Sequence, residues 1–209
     1  MTVRNADAQM EPPADVTAVV LAGGRATRME GRDKGLIDLA GRPMIAWILE
    51  AIGPQVGQVL ISANRNLDAY ERFGYPVVAD LDAGFLGPLA GLATGMSHAR
   101  TEYVVTVPCD SPLVAPDLVG RLYSTCVANG ADIAVAHDGE WMQPVFALAR
   151  TALAPDLRAW LATGERKVNR WFARHRLVEV NFSDRPDTFV NVNDPKERMA
   201  LEARLTGGE

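Results

Sequence analysis

Apolar residues along this chain follow two alternating rhythms. Short runs rich in β-branched residues occur at Val16 to Leu21, Val56 to Ile61, Tyr75 to Ala79 and Tyr103 to Val107. Runs of this length that carry no charged residue and are mostly apolar fit strands covered on both faces. Between them the apolar positions repeat every three to four residues. Ile45, Ile48, Leu49 and Ile52 predict one amphipathic helix, introduced by Gly41 in a turn and Pro43 at its first position. Leu67 to Phe73 predicts a short second helix, and Leu89, Leu92, Ala93 and Met96 mark a third. In a fourth, Leu118, Leu122 and Cys126 form one line and Val119, Tyr123 and Val127 the next.

The second half repeats the alternation. Strands are expected over 132–137 and 144–148, separated by the polar turn Asp138-Gly139-Glu140. Leu153, Leu157, Trp160 and Leu161 predict a helix ending near Gly164, and Val168, Trp171 and Phe172 another, with its aromatic pair in the core. A last strand spans Val178 to Phe182. Asp194 and Glu197 then form a capping-box pattern around Pro195, opening the final helix. Strands alternating with helices imply right-handed crossovers and a three-layer α/β/α, Rossmann-like fold around a mostly parallel sheet. Residues 1–14, polar and carrying Pro12-Pro13, read as a disordered leader, and residues 15–209 as a single domain.

Composition narrows the chemistry. A net charge of -5 over 209 residues argues against general nucleic-acid binding, which draws on a basic excess. Cys109 and Cys126 are too few for a disulfide framework, and His98, His137 and His175 are too scattered for a zinc site. No apolar run is long enough to cross a membrane and no signal peptide pattern opens the chain, so a cytoplasmic location is expected.

The first strand ends at Gly23-Gly24 and opens into a loop holding Arg25, Arg28, Arg32 and Lys34. Glycines there let backbone N–H groups approach phosphate oxygens with no Cβ in the way, although such a pair alone is also a common turn former. With a buried strand before it and four cations after it, the stretch reads as a triphosphate cradle. It is neither a P-loop, because Lys34 is followed by Gly35 rather than Ser or Thr, nor a dinucleotide fingerprint, because the two glycines are adjacent. Further polar groups cluster where strands end. Ser62-Ala63-Asn64-Arg65 follows the second strand, and Asp80 follows the third. Gly87-Pro88 to Gly91 opens a helix whose N-terminal end favours an anion or simply packs on the sheet. Asp110 sits between Pro108 and Pro112 at the fourth strand's end, as a turn former or as a ligand to a hard cation. Trp141, Met142 and Gln143 lie beside the polar turn, where they could face a second substrate.

Taken together these motifs resemble the nucleotidyltransferases of the molybdenum cofactor guanylyltransferase type. The matching segments are Leu21 to Gly24, Arg28-Met29, Asp33-Lys34-Gly35, Gly87 to Gly91, Pro108-Cys109-Asp110 and Val190 to Asn193, with Glu30 standing where the family has glycine. The resemblance implies a nucleotidyltransferase fold and transfer of GMP from GTP to the terminal phosphate of the molybdopterin cofactor, releasing pyrophosphate. It implies Mg²⁺ on Asp110 and a GTP site formed by Leu21, Ala22, Gly23, Gly24, Lys34, Asp80 and Asp110, with Arg28, Lys34 and Asp110 catalytic. It also brings Asn191 and Asn193 back to the site, on the acceptor side; apart from the resemblance, Arg166 and Lys167, just past Gly164, are candidates for gripping the acceptor's phosphate. The family's nucleotide-contacting asparagine falls at Ser62 here, with Asn64 two residues on. Implied partners are GTP, the molybdopterin cofactor and, transiently, molybdopterin-handling proteins and molybdoenzyme chaperones, with neither nucleic acid nor membrane.

Two rival readings remain. A related transferase would use CTP on the same cofactor or act on a sugar or isoprenoid phosphate, and its first loop would more often read Leu-Ala-Ala-Gly. A non-catalytic GTP-binding chaperone on the same scaffold would bind nucleotide without releasing pyrophosphate.

Overall fold

The computed structural model describes residues 13–22, 33–80 and 87–207. The 1–12 part of the expected leader and the 23–32 part of the glycine loop lie outside these residues. Pro13 and Ala14 belong to the folded body: the Pro13 carbonyl accepts from Val16 N at 3.2 Å, and Ala14 lies against Gly57.

The first strand, β1 (Val16–Leu21), runs through the middle of a seven-stranded sheet. Val16, Ala18, Val19 and Val20 are all fully buried, and the one polar residue of the strand, Thr17, is buried with its hydroxyl bonded to Gln58 and Thr101. Parallel partners flank it, β4 (Gln58–Ser62) on one side and β6 (Tyr103–Pro108) on the other. Beyond β4 comes the short β5 (Val77–Val78), also parallel. Beyond β6 lie β8 (Met142–Arg150), β7 (Ile133–His137) and β9 (Leu177–Asn181), in that order. β8 runs antiparallel to both its neighbours, because the turn predicted at Asp138-Gly139-Glu140 folds β7 directly back on β8. The remaining pairings in the sheet are parallel.

Two helical layers cover the faces. On one, α1 (Met44–Ile52) and α4 (Leu118–Ala128) bury Ile45, Ile48, Leu49, Leu118, Leu122 and Cys126 against Val16, Ala18, Val20 and Val107. On the other, α3 (Pro88–His98), α5 (Ala154–Ala162) and α6 (Val168–Phe172) pack on Val19, Leu60, Val104 and Ile133. Trp171 and Phe172 are buried there, as core residues. The second line predicted for α4 leaves the core before its end: Tyr123 packs edge-on against Tyr103, whereas Val127 is 48 % exposed.

A third, smaller core lies beside the sheet. A hairpin of β2 (Asp38–Leu39) and β3 (Arg42–Pro43) turns at Ala40 and Gly41, both with positive φ. Pro43 therefore precedes α1 as its capping position rather than opening it. Leu39 and Met44 from this region meet Val192 and Leu201, the latter on α7 (Pro195–Thr206). The Asp194 carboxylate accepts from Lys196 N at 2.8 Å and Glu197 N at 2.9 Å, so the predicted cap is made. Glu197 reaches one residue further back than a capping box requires, to Asn193 N at 2.6 Å. Among the described residues, no helix is long and apolar enough to cross a membrane.

Candidate active site

Three distant segments meet at the carboxyl end of β1. Past the last strand pair, Cys109 N donates to the Leu21 carbonyl at 3.1 Å and Ala22 N to the Ser62 carbonyl at 2.8 Å, so β4 and β6 stay registered on β1 beyond the sheet. Asp110 follows at once, and its own carbonyl accepts from Val192 N at 2.8 Å. Its carboxylate Oδ2 receives Lys34 Nζ at 2.9 Å. The same ammonium donates to Asn193 Oδ1 at 2.7 Å. Ser111 Oγ donates to Asn191 Oδ1. Lys34, Asp110, Asn191 and Asn193 thus form one constellation although 159 positions separate Lys34 from Asn193. Asp110 and Lys34 side chains are each about a fifth exposed, at 18 % and 24 %, so the pair is sheltered yet open to solvent.

Lys34 heads a 3₁₀ turn, Lys34–Leu36, held by Leu36 N donating to the Asp33 carbonyl at 3.0 Å. Asp33 does not cap this turn with its side chain. Its carboxylate is instead drawn into the core, where Tyr70 Oη donates to Oδ1 at 2.5 Å and Asn66 Nδ2 to Oδ2 at 3.0 Å. Arg65 Nε lies 3.4 Å from the same Oδ2. Tyr70 comes from α2 (Leu67–Glu71) and is fully buried, and burial pushes its phenol well above the usual tyrosine range. The Cys109 thiol nearby is likewise pushed up by burial, which leaves it an inert core residue.

A second polar group lies on the β4 side. Asn64 Nδ2 donates to Asp80 Oδ2, and Asp80 N donates back to Asn64 Oδ1, both at 2.8 Å. Ser62 Oγ reaches Asp80 Oδ1 at 3.5 Å. Both candidates for the asparagine role therefore converge on Asp80, with Asn64 the stronger partner.

Other predicted residues are distributed less simply. Leu21 ends β1 beside this region and Ala22 follows it, whereas Gly23, Gly24, Arg25, Arg28 and Arg32 lie outside the described residues. Gly91 faces the sheet: a Cβ there would stand 2.4 Å from Leu21 Cδ2, so its close approach is to β1. Gly87, with φ of 82°, takes a conformation that suits glycine. Arg166 Nη1 donates to the Leu161 and Glu165 carbonyls at 2.7 and 2.8 Å, closing the end of α5, and Lys167 caps α6. Among the described residues neither bonds to Lys34, Asp110, Asn191 or Asn193. Sequence reasoning missed the Asp33, Asn66 and Tyr70 contacts. Their only signal was an aspartate fixed next to the signature lysine.

A family model described as MobA-like NTP transferase domain matches residues 18–180. The chain belongs to this family. The MobA-like match takes in most of β1, Lys34, Asp80, Asp110 and most of β9. A relative from Shewanella pealeana named "Molybdenum cofactor guanylyltransferase" is 48% identical over 196 residues, 94% of this chain and 98% of that protein. One of the same name from Shewanella loihica is 49% identical over 94% of this chain and 99% of its own length. In fold, the chain is similar to the crystal structure of "Molybdopterin-guanine dinucleotide biosynthesis protein A" from Archaeoglobus fulgidus, at a TM-score of 0.78 and 24% identity, covering 92% of this chain and 100% of that one. The expected nucleotidyltransferase fold is thus the one observed.

Proposed function

We propose that this chain transfers GMP from GTP to the terminal phosphate of the molybdopterin cofactor, forming its guanine dinucleotide and releasing pyrophosphate. The observation that carries the reading is the meeting of Lys34, Asp110 and Asn193 at the end of β1, which joins three separate parts of the signature at one point. The names of relatives near 48% identity over almost the whole chain support it.

The chemistry asks little of acid–base groups. An oxygen of the acceptor's phosphate monoester attacks the α-phosphorus of GTP and forms the new P–O bond. The bond from that phosphorus to the α,β-bridging oxygen breaks, and its electron pair leaves with pyrophosphate. A phosphate monoester is already anionic at neutral pH, so positioning and charge neutralisation supply most of the acceleration. Lys34, together with Arg28 of the glycine loop, offsets charge on the departing pyrophosphate. Gly23 and Gly24 give backbone donors, and Leu21, Ala22 and Asp80 border the nucleoside. Asp110 holds the metal. A largely sheltered but still solvent-open carboxylate with a bonded backbone suits Mg²⁺, which accepts one or two carboxylates and completes its shell with water and phosphate oxygens. When bound, Mg²⁺ neutralises triphosphate charge. Asn191 and Asn193 face the acceptor, and Arg166 and Lys167 grip its phosphate.

The acceptor side also includes the hairpin between β7 and β8. β8 pairs with β6 as far as Thr106 opposite Ala147, and the residues of β8 before Ala147 lead back toward the hairpin tip, on the side of the sheet where β6 runs on to Asp110. Trp141 stands on that tip, 71 % exposed, and offers a flat surface to a flat heterocycle. With Cys109 and Cys126 both free thiols, the cytoplasm is the proposed compartment.

Incubation with labelled GTP, CTP or ATP, with and without molybdopterin and Mg²⁺, tests the proposal. Pyrophosphate should appear only with GTP and acceptor together. Preference for CTP would move the chain to the rival transferase, and tight GTP binding with no pyrophosphate would make it a carrier.

A further inference from the structure

A buried carboxylate usually serves a purpose that repays its removal from water, and Asp33 is 7 % exposed with donors on both oxygens. Its donors come from one short stretch. Arg65, Asn66 and Tyr70 reach Asp33, while Asn64, immediately before them, holds Asp80 through two hydrogen bonds. Residues 64–70 therefore buttress the nucleoside side of the site through Asp80 and its phosphate side through the residue before Lys34. Two local features are shaped around this contact. Asn66 takes a left-handed conformation, φ 53° and ψ 35°, at the start of α2, where it presents its amide to Asp33. Gly35 leaves room for the phenol: a Cβ there would stand 2.7 Å from Tyr70 Oη and 3.3 Å from its ring.

We propose that Tyr70 and Asn66 are positioning residues that act through Asp33 to aim the Lys34 ammonium at the reacting phosphates. The aspartate is clamped from α2 and cannot cap its own turn, so the first residue of that turn is held by a rigid neighbour rather than by an exposed loop. The Lys34 side chain then needs to sample few directions to reach Asp110, Asn193 or a triphosphate. A displacement of about 1 Å at such a group can cost on the order of 10²-fold in rate. The inference rests on the role assigned to Lys34 above.

Tyr70→Phe keeps the buried ring and removes only the donor. Asn66→Gly removes the amide while keeping a residue at ease with positive φ. Each is measured by single-turnover pyrophosphate release from GTP with Mg²⁺ and molybdopterin, in the parent chain and in Lys34→Met, with thermal unfolding alongside. Expected is a loss of about tenfold or more in the parent, and less than about twofold in Lys34→Met, since residues acting through one group are not additive. Equal losses in both backgrounds, or none in the parent, overturn the positioning role. Should Tyr70→Phe fail to fold, the Asn66→Gly pair decides the outcome by the same comparison. If Lys34→Met itself keeps full rate, the reading of Lys34 falls and the inference with it, a result distinguishable from equal losses in two impaired backgrounds.

Discussion

At the scale of single residues, the site is a lysine held between a carboxylate and an amide oxygen. Its two charged members make separate predictions because they do different work. Asp110→Ala removes the proposed metal ligand but leaves the backbone carbonyl that receives Val192 N, so the fold should survive. Turnover should vanish, and near-normal pyrophosphate release at saturating Mg²⁺ would refute the metal role. Lys34→Ala removes a preorganised positive donor and should slow the reaction by on the order of 10² or more. A loss of under threefold in kcat/KM would take Lys34 out of the chemistry. The resemblance to the family's motifs, more than residue types or spacing, made Lys34, Asp110, Asn191 and Asn193 legible in advance, and the fold brings Lys34, Asp110 and Asn193 into hydrogen-bond contact. They could not reveal Tyr70. A tyrosine in a short amphipathic helix reads as core, and its hydroxyl partner, Asp33, lies 37 positions away.

Elements carry two further predictions. The N-terminus of α7 is capped by Asp194, and Glu197 from its first turn fixes Asn193 N. Asp194→Ala should cost about 1 kcal/mol by urea unfolding, with a further loss of rate as Asn193 loosens beside Lys34. Unchanged stability would show that the cap is redundant with the α7 core contacts. The tip of the β7–β8 hairpin is rigid in a different way. Asp138 accepts from Trp141 N at 2.7 Å, Glu140 N at 2.8 Å and Gln143 Nε2 at 2.7 Å, and Gly139 turns at φ 108°. Trp141 is thus displayed on a locked turn. Trp141→Ala should leave stability within about 0.5 kcal/mol, as for an exposed side chain, and raise KM for the acceptor while sparing KM for GTP. Equal KM values for the acceptor would remove the indole from the site.

For the molecule as a whole, acid sensitivity follows from carboxylates that native contacts hold below their ordinary value of 3.8. The Arg176 guanidinium hydrogen bond lowers Asp132, the Trp141 backbone N–H lowers Asp138, the Trp171 indole N–H lowers Asp156 and the Arg121 guanidinium lowers Asp184. A carboxylate with a depressed folded pKa contributes stability in full above its unfolded pKa, and loses it as pH falls through the folded value. The urea midpoint should therefore be flat above about pH 5 and fall progressively below about pH 4. These groups tie β9 and its approach to β7, hairpin tip to strand, α5 to α6, and α4 to the β9 exit, so acid loosens the half of the sheet beyond β8. A midpoint that is insensitive between pH 2 and 5 would refute the linkage.

Local spacing was enough for the alternating strands and helices and the largely apolar β1, and the Asp194-to-Glu197 pattern for the capped last helix, since each depends on local residue order and on burial that any core would demand. Tertiary structure decided the rest. It set the sheet order, turned β8 against its neighbours, and moved Pro43 out of α1. It also chose Asn64 over Ser62 as the main partner of Asp80, and tied Asp33 to Tyr70. Such contacts join residues far apart in the chain, and hydrogen bonds between them leave no periodic trace in the sequence that encodes them.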